Sequence, residues 1–375
     1  MPTAWFRRLP WSIVTIAVLL IAAGCMGIAR AEELAGGSGR VLHRQLLFSL
    51  IAVVAAVAVA VPHYRVLGRY SFAVYLGTLG LLGVVFLFPP VNFAHRWIWI
   101  GPLSLQPSEL AKVAVVLALA RYLMHRDGHR RPLGLLVPLG IAVVPVMLIL
   151  PEPDLGTSLV FLPVLFVMLL TAGARRRDLL GMVIVGLLLV PVLWSQMSRE
   201  QRSRITAFFD QPTATQRPGD DGYHLYQAHR VRALGGVWGS WITGQRTGDL
   251  AVYRLPHAHS DFIFAVLGER FGLPGLGLVL ALYTLLVARI LAVAAATREP
   301  FGRLVAAGVA ALFAVEAFIN TGMTVGLVPI TGLSLPLMSS GGSGLVAHAA
   351  ALGLVVNIAM RPGYEVAPEP FRYRS

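Results

Sequence analysis

The stretch Pro256–Gly272, PHAHSDFIFAVLGERFG, places acidic residues at both ends of an apolar segment. Asp261 precedes the apolar residues Phe262–Leu267, and Glu269 follows them. A charged side chain at the bilayer centre costs about 2.5–3.5 kcal/mol even on insertion scales, so an ionisable residue on a membrane helix is a functional candidate. Asp261 therefore has two open interpretations: a functional carboxylate, or a cap on the helix that follows it.

Composition places the whole chain in the membrane class. The 375 residues are 56% hydrophobic and only 13% charged, and the mean hydropathy is +0.71. The net charge of +13 comes from basic residues that mostly flank apolar runs, as expected for loops facing anionic lipid, so nucleic acid is not an expected partner. The single cysteine, Cys25, excludes a disulfide or thiolate metal site within one chain.

Ten apolar runs predict an all-α polytopic membrane protein whose single transmembrane domain spans residues 1–375. The runs are Ser12–Ile28, Leu46–Val61, Phe72–Phe88, Pro107–Leu123, Leu133–Leu150, Thr157–Leu170, Leu179–Trp194, Ser260–Ala294, Leu304–Met323 and Gly344–Met360. The first run is favoured as an uncleaved helix over a signal peptide. Because the run from Ser260 exceeds one crossing of about 30 Å, Gly272–Gly275 is predicted to kink it.

The distribution of arginine predicts that both termini face the cytoplasm. Arg30, Arg40 and Arg44, assigned to the first outer loop, are the exception to this pattern. The same topology leaves a large extracytoplasmic loop at 196–260, between spans seven and eight, and a cytoplasmic tail at 361–375. Within the loop, Tyr223–Leu234 has helical apolar spacing and is predicted to form an amphipathic helix at the membrane interface.

Two acidic motifs flank predicted helices on the outer side. Glu109 and Lys112 lie one helical turn apart, either as an ion pair that braces helices or with the lysine serving an anionic substrate. Asp154 either caps the sixth span or, near Glu152, binds a divalent cation such as Mg²⁺ or Mn²⁺ or a substrate hydroxyl. The pair His257 and His259 alone is too weak a signal for a metal site.

The outer segment Val325–Ser343 is irregular and rich in small residues. Irregular backbone at membrane depth is tolerated where protein buries it or where it lines a watery cavity. Ser339, Gly341 and Ser343 are therefore candidates for holding phosphate oxygens through exposed backbone amides. A flexible linker is the alternative.

Together these motifs resemble the SEDS family, the RodA/FtsW proteins of bacterial cell-wall synthesis, closer to RodA than to FtsW. The resemblance covers nearly the whole chain in order. It rests on Arg96-Trp97-Ile98, QPSELAK at 106–112, PDLGT at 153–157, Arg204-Ile205 with Phe208-Phe209-Asp210, Gly222-Tyr223 with Gln227, HSDFIFAVLGE at 259–269, and NTGMTVGLVPITGLSLP at 320–336 leading into Ser339–Ser343.

The resemblance implies a peptidoglycan glycosyltransferase of the bacterial cytoplasmic membrane. Such an enzyme polymerises lipid II on the outer face, works with a class B penicillin-binding protein, and serves cell shape or cell division. The family's essential aspartate aligns with Asp261. The other residues it implies for the substrate site are Arg96, Glu109, Lys112, Asp154, Arg204 and Gln227. A lipid II flippase and a non-catalytic scaffold for the penicillin-binding protein are the alternative functions.

The sequence departs from the family pattern at four places. Glu152 stands where a glutamine or similar residue is common, and Pro256-His257 replaces a proline–glutamate pair. Arg270 replaces the second acid of a Glu-Glu pair, and Ser340 replaces a tyrosine. None of these changes removes Asp261.

Overall fold

The structure, a computed structural model, describes residues 8–90, 94–101, 103–125, 132–152, 154–197, 199–209, 221–244 and 255–361. The predicted tail beyond Arg361 lies outside these residues. So do Pro153, Asp210 and parts of the 196–260 loop.

Every one of the ten apolar runs forms a helix, which confirms the all-α prediction. The long helices are α1 (Trp11–Ala35), α2 (Arg40–Ala60), α3 (Tyr64–Val84), α4 (Pro107–Leu123), α5 (Leu136–Ile149), α6 (Leu155–Ala172), α7 (Arg176–Gln196), α11 (Ile263–Ala296), α12 (Pro300–Thr324) and α13 (Gly342–Ala359). Among the described residues, 7 helices are long and apolar enough to cross a membrane, so ten spans stay a prediction.

Shorter elements lie on the predicted outer side. A two-stranded antiparallel hairpin pairs β1 (Ile98–Ile100) with β2 (Leu103–Leu105) just before α4. Between α7 and α11 the chain forms α8 (Arg199–Phe209), α9 (Asp221–Gly235) and α10 (Ser240–Thr243). These elements cover the outer ends of the bundle.

One hydrophobic core takes side chains from all ten long helices. The central helices α4, α12 and α13 are buried around most of their circumference, with Val116, Phe313 and Val355 fully enclosed. A helix that is apolar on all faces is expected at the centre of a bundle. By contrast α7 exposes most of its large apolar side chains, as a lipid-facing helix does.

The predicted kink in α11 is confirmed at Gly272, whose backbone is non-helical with φ 64° and ψ −157°. The kink exposes the amide of Leu273, which donates to the carbonyl of Val237 at 2.9 Å. A Cβ on Gly272 would lie 2.2 Å from that carbonyl oxygen. Only glycine therefore allows the chain between α9 and α10 to pack against the kink.

Arg30 corrects the sequence-based topology, because α1 continues to Ala35 and Arg30 lies in this helix rather than in the first outer loop. Its side chain is 3% exposed. Nε and Nη2 donate to the carboxylate of Glu269 at 2.9 and 2.7 Å, and Nη2 also reaches Ser240 Oγ at 3.4 Å. Of the three exceptions to the positive-inside pattern, Arg30 is thus neutralised by a partner on α11, and Arg40 and Arg44 also lie in a helix, the first turns of α2, rather than in a loop.

The outer loop contains the predicted helix, α9, but its position differs from the prediction. Leu225, Ala228 and Val231 are buried and form a small core with Phe262 and Ala265. Packing against α11 removes this apolar face from water as effectively as a membrane surface would. The helix is therefore a cover on the bundle and does not lie with its apolar face on the lipid.

We expect the Arg30–Glu269 pair to be essential for stability. Glu269→Ala should lower the free energy of unfolding by about 3–5 kcal/mol, because it leaves a guanidinium buried without its carboxylate. The control Glu33→Ala removes the other carboxylate that contacts Arg30, at 3.0 Å, whose side chain is 49% exposed. Denaturation in mixed micelles measures the free energy of unfolding of both variants. An equal loss of stability in the two would contradict the special role of the Arg30–Glu269 pair.

Candidate active site

Asp261 lies in a tight turn that precedes α11. The amides of Ser260, Asp261 and Phe262 all donate to the carbonyl of His257, at 3.0 to 3.3 Å. His257 itself has φ +54°, a conformation uncommon outside glycine. Such backbone persists only where the surroundings impose it. The turn is therefore held in one specific shape.

The side chain of Asp261 does not cap the helix. The N-cap residue of α11 is Phe262, and no side chain makes a capping hydrogen bond there. The backbone of Asp261 is instead fixed by Asn320, whose Nδ2 donates to its carbonyl at 2.9 Å and to the carbonyl of Leu333 at 2.6 Å. The turn is thus fastened to α12, which leaves the carboxylate available for chemistry.

Arg204 and Asp261 converge above Gly332. A Cβ built on Gly332 would lie 3.5 Å from Arg204 Nη1 and 3.7 Å from Asp261 Oδ2. Arg204 reaches this place from α8, and its Nη1 donates to the carbonyl of Thr331 at 3.4 Å. Gly332 has φ +72°, so the turn there favours glycine for conformation as well as for space. This brings together two predicted site residues that are 57 positions apart in sequence.

Burial raises the pKa of the Asp261 carboxyl above its ordinary value. His257, the Ser260 hydroxyl and the Arg204 guanidinium act in the opposite direction, whereas Asp154 raises the pKa further. A carboxylate with a raised pKa is a stronger base than an ordinary aspartate. Its environment therefore suits proton abstraction.

Asp154 is the N-cap of α6, which supports the capping interpretation. Its carboxylate accepts from the Thr157 amide at 3.2 Å and the Thr157 hydroxyl at 2.9 Å. Gln106 Nε2 donates to the same carboxylate at 3.3 Å. A Cβ on Gly156 would lie 2.7 Å from the Thr331 carbonyl, so the start of α6 packs directly against the segment that carries Gly332.

Glu152 lies beside this cap and is completely buried. Neither of its carboxylate oxygens has a hydrogen-bond partner among the described residues. Burial, and then the nearby Asp154, raises the pKa of Glu152 to about 8. Arg96 Nε donates to the backbone carbonyl of Glu152 at 2.6 Å, which places this predicted substrate residue at the same turn.

The three small residues predicted at the irregular segment have different surroundings. Ser339 Oγ accepts from the Leu335 amide at 2.8 Å and donates to the Ser260 carbonyl, so it fastens the segment to the Asp261 turn. Ser343 Oγ accepts from the Gln106 amide and donates to the Ser104 carbonyl, both at 3.0 Å. Gly341 precedes α13, and a Cβ there would meet nothing within 4 Å.

Lys112 belongs to a buried ionic cluster at the inner end of this polar region. Its Nζ donates to Glu109 at 2.8 Å and to Glu316 at 2.5 Å. The second Glu316 oxygen is hydrogen-bonded to His348 Nε2. All four residues are at most 6% exposed. The bracing interpretation of the Glu109–Lys112 pair fits these contacts.

Two members of the cluster, Glu316 and His348, were not among the predicted site residues. The available signal was an ionisable residue within an apolar run, which at membrane depth is a functional candidate. Gln227, by contrast, was predicted but makes its hydrogen bond within α9, where Nε2 donates to the Tyr223 hydroxyl at 2.8 Å. Its role in the site stays a prediction.

The described residues contain no preformed cluster of metal ligands, whether of histidines or of carboxylates alone. Among the residues that the structure describes, no group of three or more histidine, cysteine, aspartate or glutamate side chains is arranged to hold a metal ion. The two orphaned oxygens of Glu152 remain the donors best suited to a hard cation.

Comparison with solved structures shows the same architecture. A chain in a peptidoglycan synthase complex, described as coordinating polymerization and crosslinking, matches with a TM-score of 0.78 and 30% identity over 94% of this chain and 97% of that one. The rod shape determining protein RodA of Thermus thermophilus matches with a TM-score of 0.70 and 27% identity over 95% of this chain and 98% of its own.

Sequence comparison agrees with the structural match. The peptidoglycan glycosyltransferase MrdB of Escherichia coli K12 is 34% identical, covering 92% of this chain and 91% of its own. A Geobacter protein named "Probable peptidoglycan glycosyltransferase FtsW" is 35% identical over 85% of this chain and 87% of its own. The model of the FtsW, RodA and SpoVE family, described as cell cycle proteins, matches residues 7–363. The chain therefore belongs to the FtsW/RodA/SpoVE family, of the kind that its motifs resemble.

Proposed function

We propose that the chain is a peptidoglycan glycosyltransferase that polymerises lipid II on the outer face of the bacterial cytoplasmic membrane, with Asp261 as general base. The observation that carries this proposal is the convergence of Asp261 and Arg204 above Gly332. A base and a cation held close together are what glycosyl transfer from a lipid diphosphate requires.

The reaction forms a bond between an acceptor sugar hydroxyl oxygen and the anomeric carbon of the donor. The bond from that carbon to the diphosphate breaks, and the diphosphate leaves with the electron pair. Asp261 accepts the hydroxyl proton, a role typically worth roughly 10²–10⁴-fold in rate. The environment that raises its pKa supports this assignment.

The guanidinium of Arg204 is the group best placed to neutralise the departing diphosphate. Arginine matches phosphate oxygens with a planar set of donors. Lys112 is a weaker candidate, because its ammonium already donates to two carboxylates in the buried cluster. In this mechanism Glu109 and Lys112 brace α4 against α12 and act on the substrate site only through the packing.

A divalent cation, if the reaction uses one, would be held by Glu152 together with Asp154. The two buried Glu152 oxygens have no hydrogen-bond partner among the described residues, and Asp154 is close enough to raise its pKa. A bound Mg²⁺ or Mn²⁺ supplies charge neutralisation for a diphosphate. The hydrogen bonds of Asp154 within its cap make it the secondary ligand.

The partner that we propose is a class B penicillin-binding protein, which would cross-link the strands that this chain polymerises. The structural match to a synthase complex that coordinates polymerization and crosslinking supports this proposal. We also propose that both termini lie in the cytoplasm, which would put Asp261 outside the cell. The arginine distribution supports this orientation.

The distribution of charge supports polymerisation over translocation of lipid II. A flippase needs a polar path that reaches both membrane faces. Between Lys112 and Arg121, however, α4 carries only apolar residues, and the same holds on α12 from Leu304 to Val315. Most of these side chains are buried in the core. The scaffold alternative predicts that the wild type forms no glycan polymer from lipid II, so a polymerisation assay tests it.

Asp261→Asn should abolish most glycan polymerisation while leaving the fold intact. The expected loss is roughly 10²–10⁴-fold, because the amide cannot accept the hydroxyl proton. The measurement is polymer length and rate from purified lipid II, with the chain reconstituted beside its penicillin-binding protein, and Glu33→Gln as the exposed acidic control. A variant that polymerises at the wild-type rate would refute the base assignment.

Arg204→Gln should shift the acid limb of the pH–rate profile to higher pH. The base works only when ionised, so activity falls as pH drops through the raised pKa of Asp261. Arg204 lowers that pKa, and its removal therefore raises it. Arg202→Gln, on the same helix, is the matched control. If the acid limb of Arg204→Gln stays at its wild-type pH, Arg204 does not lower the pKa of Asp261, and the prediction is wrong.

Glu152→Gln should weaken Mn²⁺ binding by roughly 10-fold or more, a loss typical of a changed metal ligand or its support. Affinity of the wild type should rise as pH increases towards 8, because the cation must displace the proton from Glu152. Electron paramagnetic resonance of free Mn²⁺ measures both, with Asp178→Asn as control. Unchanged Mn²⁺ binding in Glu152→Gln would show that the cation does not bind at this turn.

A further inference from the structure

A polar cavity lies at the opposite end of the bundle from Asp261. It has a volume of about 150 Å³ and lies between the start of α3, the end of α4 and the start of α12. Its lining residues are Arg65, Gly68, Arg121, Met124, Glu299 and Phe301. One water takes about 30 Å³ of liquid, so the cavity has room for a phosphate group.

The electrostatics of this cavity favour an anion. Two guanidinium groups face it, from Arg65 and Arg121, against one carboxylate. That carboxylate, of Glu299, is already bound at the N-terminus of α12, where it accepts from the amides of Phe301 at 3.1 Å and Gly302 at 2.6 Å. The helix dipole stabilises it further. The net charge that the cavity presents is therefore positive.

Arg121 in particular has donors to offer. Among the described residues its guanidinium donates only to the Met124 sulfur, at 3.8 Å, and a thioether is a weak acceptor. The backbone around it is rigid, since Arg121 lies in the last turn of the buried helix α4. A built cationic position with unused donors is suited to phosphate oxygens.

The surroundings point to a lipid rather than a free ion. Phe301 and Met124 give the cavity an apolar wall, and α3 exposes Val66 and Tyr70 beside it, 50% and 54% exposed. A phosphate held here would leave its acyl chains against this exposed face. The arginine distribution assigns this end to the cytoplasm, whose leaflet carries anionic lipids that basic pockets between helices bind.

We propose that the cavity between α3, α4 and α12 binds the phosphate headgroup of an anionic phospholipid of the cytoplasmic leaflet, through Arg65 and Arg121. The site is separated from Asp261 by the apolar middle of α4 and α12, so it is distinct from the glycosyl-transfer site. The proposal does not depend on the proposed catalytic function.

Native mass spectrometry of the full chain, released from detergent with phosphatidylglycerol or phosphatidylcholine, tests this site. The wild type should retain phosphatidylglycerol in preference, and Arg65→Gln with Arg121→Gln should reduce that preference roughly 30-fold, as expected for two cations near a headgroup. Arg176→Gln with Arg177→Gln is the matched control, because both arginines are exposed at the start of α7, on the same predicted side of the membrane as the cavity.

The control pair should keep the preference, since it removes the same charge outside the cavity. An equal loss in both pairs would show that only the general positive charge of this face matters, and would overturn the site. The variant pair Arg65→Lys with Arg121→Lys keeps both charges, should retain most of the preference, and guards against a folding defect. Displacement of the lipid by millimolar inorganic phosphate would indicate a free-anion site and also refute the lipid proposal.

Discussion

The site depends on one side chain, Asn320, that joins two separate pieces of chain. Its amide donates both to the Asp261 carbonyl and to the Leu333 carbonyl, and so links the turn before α11 to the irregular segment after α12. Irregular backbone at membrane depth must have its polar groups satisfied inside the protein. Asn320 meets that requirement and at the same time sets where Asp261 lies relative to Gly332.

The same requirement explains why polar residues continue through the outer half of the bundle. Ser339 binds the irregular segment to the Asp261 turn, and the Ser340 amide donates to the His259 carbonyl at 2.9 Å. Ser343 joins this segment to Gln106, whose side chain reaches the cap at Asp154. Since each of these bonds is buried or partly buried, losing one leaves an unsatisfied group, which costs about 1–3 kcal/mol. These hydrogen bonds therefore hold the backbone around Asp261 in one position, as its role in the chemistry requires.

Sequence alone predicts the helices well, because an apolar run of membrane length has few alternatives to a helix. It also predicts the kink at Gly272, since glycine and proline interrupt the run. It does not place Arg30, because an arginine near a helix end resembles a loop residue until its partner, 239 positions away, is known. The predicted position of α9 is wrong for a similar reason, because an amphipathic pattern does not say whether lipid or protein covers the apolar face.

The candidate site divides in the same way. Asp261, Asp154, Glu109 and Lys112 follow from motifs and from charge in apolar surroundings. The meeting of Arg204 with Asp261 does not follow, because it depends on how α8 returns over the bundle. His348 was missed because its partner Glu316 lies on another helix, and only the folded structure shows the two to be hydrogen-bonded.

The most direct test of the central claim is a structure of the chain with two analogues bound, lipid II as acceptor and a lipid-diphosphate-linked glycan as donor. If Asp261 is the base, the acceptor hydroxyl should lie within about 2.6–3.2 Å of its carboxylate, directly or through one water. The donor diphosphate should then contact Arg204. A complex in which the sugars lie away from Gly332, with Asp261 facing no hydroxyl, would contradict the account.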